Sequence, residues 1–301
     1  MDTGALSRWA DLGGPVHYLD FGGPASGPLV VCVHGLGGAA VNWLALGPLL
    51  ADRYRVLALD LPGFGLTRAA GRSTTVQANG ELVRRFVAEV GGGPALWVGN
   101  SMGGLITLLA AAERPELVTG AALLDPAWFP RVRHRPNLLS SAVFAAYFTP
   151  GLGRAVVAGR RRARTAEQSV HDMLTFCCAD PARVAPDVVA AHVRLTQQRA
   201  EVPGLALEFE VAARSVLSVI ARRRRLAALA AGLSMPVLVL HGGRDRLVPV
   251  GAASELAAAN PTWRYAVAPD AGHLPMLEVP DWTAEHLDRW IRDHGLLATS
   301  A

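Results

Sequence analysis

The chain contains no lysine; all 29 of its basic residues are arginine. Beside so much alanine and glycine, this reads as the codon usage of a GC-rich genome and carries no mechanism. Cysteine is nearly as scarce. Cys32, Cys177 and Cys178 are an odd count with two of them adjacent, which makes a poor disulfide framework. Long apolar runs are missing as well, and a stretch such as 138–148 is too short to span a bilayer. The opening residues, Met1-Asp2-Thr3-Gly4, lack the basic-then-apolar pattern of a secretory leader. These features make a cytoplasmic location the expectation. Neither an internal repeat nor a low-complexity linker interrupts the chain. Hydrophobic residues, by contrast, make up 51% of the 301, enough for a large buried core.

The net charge of +4 conceals an asymmetry. Residues 128–233 hold 16 arginines against 7 acidic residues, a formal +9, whereas the remainder is a formal −5. A basic middle within an acidic frame suggests a separate subdomain and an anionic partner. Two runs stand out, Arg160-Arg161-Arg162-Ala163-Arg164 and Arg222-Arg223-Arg224-Arg225. Such runs are most often solvated helix faces; if functional, they point to an anionic lipid surface or an acidic substrate group. Nucleic acid is not expected, because the arginines are not interleaved with aromatics and no nucleic-acid motif occurs.

Along the chain, buried strands alternate with helices. Strands are predicted at 15–21, 29–33, 55–60, 94–98 and 118–124, and again at 235–242 and 263–268. Helices are predicted at 41–51, 74–90, 104–113, 252–259 and 282–294. This alternation implies a parallel sheet covered on both faces. The rhythm breaks at Trp128 and resumes near residue 234. The expected organisation is therefore a core of residues 1–127 and 234–301, carrying a helical lid at 128–233. Within that lid, 140–148 is an apolar segment suited either to lining an acyl pocket or to ordinary packing.

Gly99-Asn100-Ser101-Met102-Gly103 fits G-x-S-x-G, between the strand at 94–98 and the helix from 104. A strand turning sharply into a helix presents the serine at the sheet edge, beside the unpaired N–H groups of the helix start. A serine hydroxyl is a weak nucleophile near neutral pH, so it needs a base and a carboxylate to orient that base. His273, in Asp270-Ala271-Gly272-His273, follows the last strand and is the candidate base. Asp245, in the loop after the strand at 235–242, is one candidate carboxylate, and Asp125, after the preceding strand, is the other. Either aspartate has a plain alternative as a loop residue capping a helix or paired with arginine.

Taken together, these residues resemble the α/β-hydrolase superfamily. The resemblance rests on His34-Gly35-Leu36-Gly37-Gly38, Asp60-Leu61-Pro62-Gly63-Phe64-Gly65, Gly99 to Gly104, the Asp245 loop and the His273 loop, in the order Ser…Asp…His. It implies the α/β-hydrolase fold, with Ser101 as nucleophile, His273 as base and Asp245 as orienting acid. Some branches take the acid from the position of Asp125. The same resemblance puts the oxyanion hole at the N–H groups of Leu36 and Met102, with Gly37 a neighbouring possibility, and His34 in a loop-shaping role. Neither metal nor cofactor is implied. The expected reaction is hydrolysis of a small carboxylic ester, lipid-like or anionic. The elbow is also similar to that of carbon–carbon bond hydrolases of ring-cleavage products, although His34 to Gly38 departs from their oxyanion loop. A non-catalytic receptor on the same fold is the alternative from another class.

Overall fold

Eight strands form a single sheet in the computed structural model, which describes residues 3–128, 149 and 151–296. They are β1 (Ser7–Asp11), β2 (Pro15–Asp20), β3 (Leu29–Val33), β4 (Arg55–Leu59), β5 (Ala95–Asn100), β6 (Val118–Leu124), β7 (Val237–Gly242) and β8 (Arg264–Ala268). Their order across the sheet is β1-β2-β4-β3-β5-β6-β7-β8. From β4 to β8 every pairing is parallel; β1 and β2 add an antiparallel edge. Sequence patterning anticipated the parallel strands but not β1. Its pattern is short, polar and exposed, and only its pairing with β2 makes it a strand.

The central strands are mostly apolar because both faces of the sheet are covered. Successive side chains point to opposite faces. Val31, Leu57, Trp97, Leu123 and Val239 accordingly share one apolar cluster with the helices Val76–Phe86 and Met102–Glu113. Val30, Val56, Val98, Leu124 and Leu240 face the other cluster, with Trp43, Leu50, Trp290 and Ile291. Two helices differ from their sequence reading. The 41–51 segment divides into a 3-10 turn at Ala40–Trp43 and a short helix, Gly47–Ala51. The helix predicted to end at residue 90 loosens into a π turn at Val87–Gly91.

Between β6 and β7 the described chain runs through Leu152–Ala163, Ala166–Cys177, Pro186–Gln198, Leu205–Ala221 and Arg223–Ala231, all helical. This insertion straddles the sheet. Ala212, Val216, Ile220 and Leu226 join the first cluster, while Val170, Leu174, Val188 and Ala191 join the second. Residues 140–148, the suggested acyl-pocket segment, lie outside the described residues. Among those described, no helix is long and apolar enough to cross a membrane.

Candidate active site

Strand pairing brings the carboxyl ends of the central strands level. Val33 pairs with Gly99, Asn100 with Leu124, Leu124 with Leu240, and Gly242 with Ala268. The loops that leave these ends carry His34, Ser101, Asp125, Asp245 and His273. Chain direction across the sheet reverses around β3, since β4 lies on one side of it and β5 on the other. In open α/β sheets the crevice outside such a reversal is where ligands bind.

Ser101 occupies the turn between β5 and the helix Met102–Glu113, with φ 55° and ψ −114°. That conformation costs a non-glycine residue about 1–3 kcal/mol. The neighbours hold it in place. The Ser101 N–H donates to the Leu124 carbonyl (2.9 Å), and the Ser101 carbonyl accepts from Leu105 and Ala127 (3.1 Å each). The helix can approach only because two glycines leave room. A Cβ on Gly99 would fall 2.3 Å from the Gly103 carbonyl oxygen, and one on Gly103 would fall 2.0 Å from that of Val33. Met102 is fully buried, yet Ser101 stays partly exposed.

His273 Nδ1 lies 2.7 Å from Asp245 Oδ2, and the Asp245 side chain is 0% exposed. The other oxygen of that carboxylate, Oδ1, accepts the N–H groups of Leu247 (2.7 Å) and Val248 (3.0 Å). Burial pushes the Asp245 pKa up, but His273, His241 and the Val248 N–H outweigh it and bring it below the ordinary range. An ionised Asp245 makes His273 Nδ1 the donor and leaves Nε2 free to accept a proton. The His273 backbone is anchored twice: its N–H donates to the Cys177 carbonyl (2.7 Å), and its carbonyl accepts from Asn100 Nδ2 (3.1 Å). Among the described residues Ser101 Oγ makes no hydrogen bond. The serine–histidine link is therefore open, as it often is before substrate binds.

The loop after β3 meets the elbow directly, since a Cβ on Gly35 would lie 3.1 Å from Ser101 Cβ. Both ring nitrogens of His34 are occupied. Nδ1 donates to the Gly35 carbonyl (2.8 Å), and Nε2 accepts the Leu61 N–H (3.1 Å). Burial lowers its pKa, so it is a neutral strut between two loops. Leu36 follows Gly35 in this loop. The Met102 N–H, first in its helix, has no intrahelical acceptor. Gly37 is covered by Phe209 of the insertion, whose ring would lie 3.2 Å from a Cβ placed there.

Asp60 is a second buried carboxylate. It accepts from Ala40 N–H (2.6 Å), Leu66 N–H (2.8 Å) and His17 Nδ1 (2.7 Å), and Ser7 Oγ lies 2.9 Å from His17 Nε2. Burial raises its pKa, but the hydrogen bond and charge of His17 prevail and lower it. This relay ties β1 and β2 to the loops after β3 and β4. It reproduces the bonding order of a catalytic triad, but two to four strands away from the strand that carries Ser101.

Asp125 also reaches the sheet edge, but the described imidazole contact of His273 is with Asp245. Asp125 is 0% exposed with φ 45°, and its Oδ1 accepts the Gly242 N–H (2.9 Å). Oδ1 lies 3.6 Å from His241 Nε2, which donates to the Val248 carbonyl (2.9 Å). Asp125, His241 and Asp245 have ligand atoms within 4.8 Å of one another, close enough to surround a cation. The donor set fits one poorly, because Asp245 and His241 Nε2 already spend their electron pairs and proton on His273 and the Val248 backbone. Sequence reasoning missed Asn100, Cys177 and Phe209. Asn100 is an unspecified position of the elbow motif, and the other two reach the site only through packing of the insertion.

Residues 28–280 match the family described as the alpha/beta hydrolase fold. The chain is 30% identical to the dihydrolipoyllysine-residue acetyltransferase component of an acetoin-cleaving system from Cupriavidus necator, over 92% of this chain and 67% of that one. It is 30% identical to a pimeloyl-[acyl-carrier protein] methyl ester esterase from Xanthomonas campestris, over 88% and 95%. A thermophilic esterase from Thermogutta terrifontis superposes with a TM-score of 0.70 at 25% identity, over 96% of this chain and 99% of that one. With the eight-stranded sheet, the serine elbow and a match over most of its length, this chain belongs to the α/β-hydrolase fold family.

Proposed function

We propose that this chain hydrolyses a carboxylic ester through an acyl-enzyme on Ser101. The observation that carries the reading is the 2.7 Å contact of His273 Nδ1 with a shielded Asp245, together with a partly exposed serine held on a strained turn. In the first half-reaction Ser101 Oγ attacks the carbonyl carbon and its proton passes to His273 Nε2. The N–H groups of Leu36 and Met102 receive the negative oxygen, a contribution of about 3–4 kcal/mol for each donor. Collapse breaks the ester bond, and His273 returns the proton to the departing alcohol. Water then repeats the sequence on the acyl-enzyme, releasing the acid and restoring Ser101. Esterases among the relatives support this reaction class. The basic insertion supports a lipid-like or anionic ester, and its described helices, between Leu152 and Ala231, act as a lid over the site.

Turnover of p-nitrophenyl esters from acetate to palmitate, with fluorophosphonate labelling, tests the proposal. Ser101→Ala should lose labelling and at least roughly 10⁴-fold of kcat while remaining folded, with His273→Ala nearly as damaged. Substantial turnover by folded Ser101→Ala would overturn the mechanism, and failure of the parent chain to label would favour a receptor. The similarity to an acetyltransferase component supports a second reading, transfer of the acyl group to an acceptor other than water. Product analysis with added thiols and alcohols separates the two.

A further inference from the structure

Asp125 is a buried carboxylate next to Asp245 for which the proposed mechanism has no use. It follows β6, and its strained backbone is held by donation of its N–H to the Leu240 carbonyl (2.9 Å). Oδ2 is buried without a hydrogen-bond partner among the described residues. Two carboxylates sit within 4.8 Å of each other here, out of reach of water, with little positive charge to separate them. The groups facing Asp125 can be named. His241 of β7 is kept neutral by burial, with Nε2 donating to Val248. Glu278, from the short helix Pro275–Glu278, adds further negative charge, and Tyr265 of β8 is a neutral phenol. His273 is bonded to Asp245, not to Asp125.

Two like charges this close cannot both persist in a dry site, so one carboxyl keeps its proton. The hydrogen bonds decide which. Asp245 receives two N–H groups and His273; Asp125 receives one N–H and has a bare oxygen. We propose that Asp125 is a positioning residue, a neutral carboxylic acid whose proton faces Asp245 and leaves Asp245 the sole negative charge behind His273. Burial first, then the Asp245 charge, pushes the Asp125 pKa well above the carboxylate range, in agreement. This rests on the reading of Asp245 as the acid of the triad. A neutral donor beside Asp245 draws on its negative charge and weakens its hold on the imidazolium. Asp125 thereby sets the pH at which the base becomes available.

The acid limb of the kcat/KM profile for a neutral ester tests this, because a protonated and an ionised Asp125 give opposite signs. Asp125→Leu deletes the donor, strengthens Asp245 as a partner for the imidazolium, and should move the limb up by about one pH unit. Asp125→Asn restores a donor without charge and should leave the limb in place. If Asp125 is ionised instead, both variants remove negative charge and both limbs move down, which overturns the proposal. An unmoved limb in folded Asp125→Leu also overturns it. Should that variant not fold, carbon-13 NMR of the parent chain labelled at aspartate Cγ decides. One aspartate carboxyl must keep its protonated position at pH 7, and the absence of any such signal refutes the idea. Full activity in Asp245→Asn would sink the triad reading while leaving the NMR result to judge Asp125 independently.

Discussion

At the scale of single residues, aspartates divide the labour by the hydrogen bonds each receives. Asp245 is ionised because two backbone N–H groups and an imidazole solvate it in place of water. Asp245→Asn should lower kcat by about 10⁴-fold, because the amide no longer holds the imidazole in its working tautomer. Steady-state kinetics check this, and the same change at Asp125 should cost far less; the reverse ranking would assign the acid to β6. Asp60 makes a prediction about pH. Its folded pKa lies below that of the unfolded chain, so its contribution to stability is whole above about pH 4 and fades as pH falls through the folded value. Asp60→Asn should cost roughly 3 kcal/mol at pH 7. Urea titrations across pH 2–7 should also show a flatter acid limb of stability in the variant.

The elements meet at glycines, and these positions decide whether the site can assemble. Gly272 sits where the His273 loop touches the end of the helix Ala166–Cys177. A Cβ there would fall 2.4 Å from the Cys177 carbonyl oxygen, a backbone atom that cannot swing aside. The same carbonyl receives the His273 N–H. Gly272→Ala should therefore push the insertion helix and the His273 loop apart, lowering kcat by at least tenfold and the melting temperature by a few degrees. Fluorophosphonate labelling rate and a thermal melt, read together, check this. A fully active variant would mean that the helix end yields without disturbing His273. Gly99 and Gly103 do the corresponding service for Ser101, which is why the elbow motif is so specific.

For the whole molecule, the charge asymmetry divides into two parts. In the first arginine run, Arg160 and Arg164 share Asp172, and Arg161 donates to the carbonyls of Arg199 and Ala200. These arginines stitch insertion helices together. Arg222, which precedes the helix Arg223–Ala231, and Arg224 and Arg225 in its first turn are exposed, and they are the better test of an anionic partner. Replacing these three with Gln should weaken binding to anionic vesicles severalfold in low salt and leave hydrolysis of a small neutral ester unchanged. Co-sedimentation at low and high ionic strength measures this. Equal binding by variant and parent would make this run a solvated face.

Much of this molecule was legible in the chain before any coordinates. The parallel strands, the elbow at Ser101 and the basic middle are local signals, because burial on both faces writes continuous apolar runs and a sharp turn demands glycine on each side. His273 and Asp245 were legible as candidates, each following a strand. Choosing Asp245 over Asp125 took the resemblance, since both aspartates leave adjacent strands at the same edge. The tertiary structure gives them different partners: Asp245 meets the His273 imidazole from the next loop, whereas Asp125 accepts the Gly242 N–H across more than a hundred positions of chain. Strand β1, the contacts of Cys177 and Phe209 with the site loops, and the Asp60 relay have no local pattern of their own. They exist because distant segments pack against one another, and it is packing that turns Asp125 into a neutral neighbour of the residue it resembles.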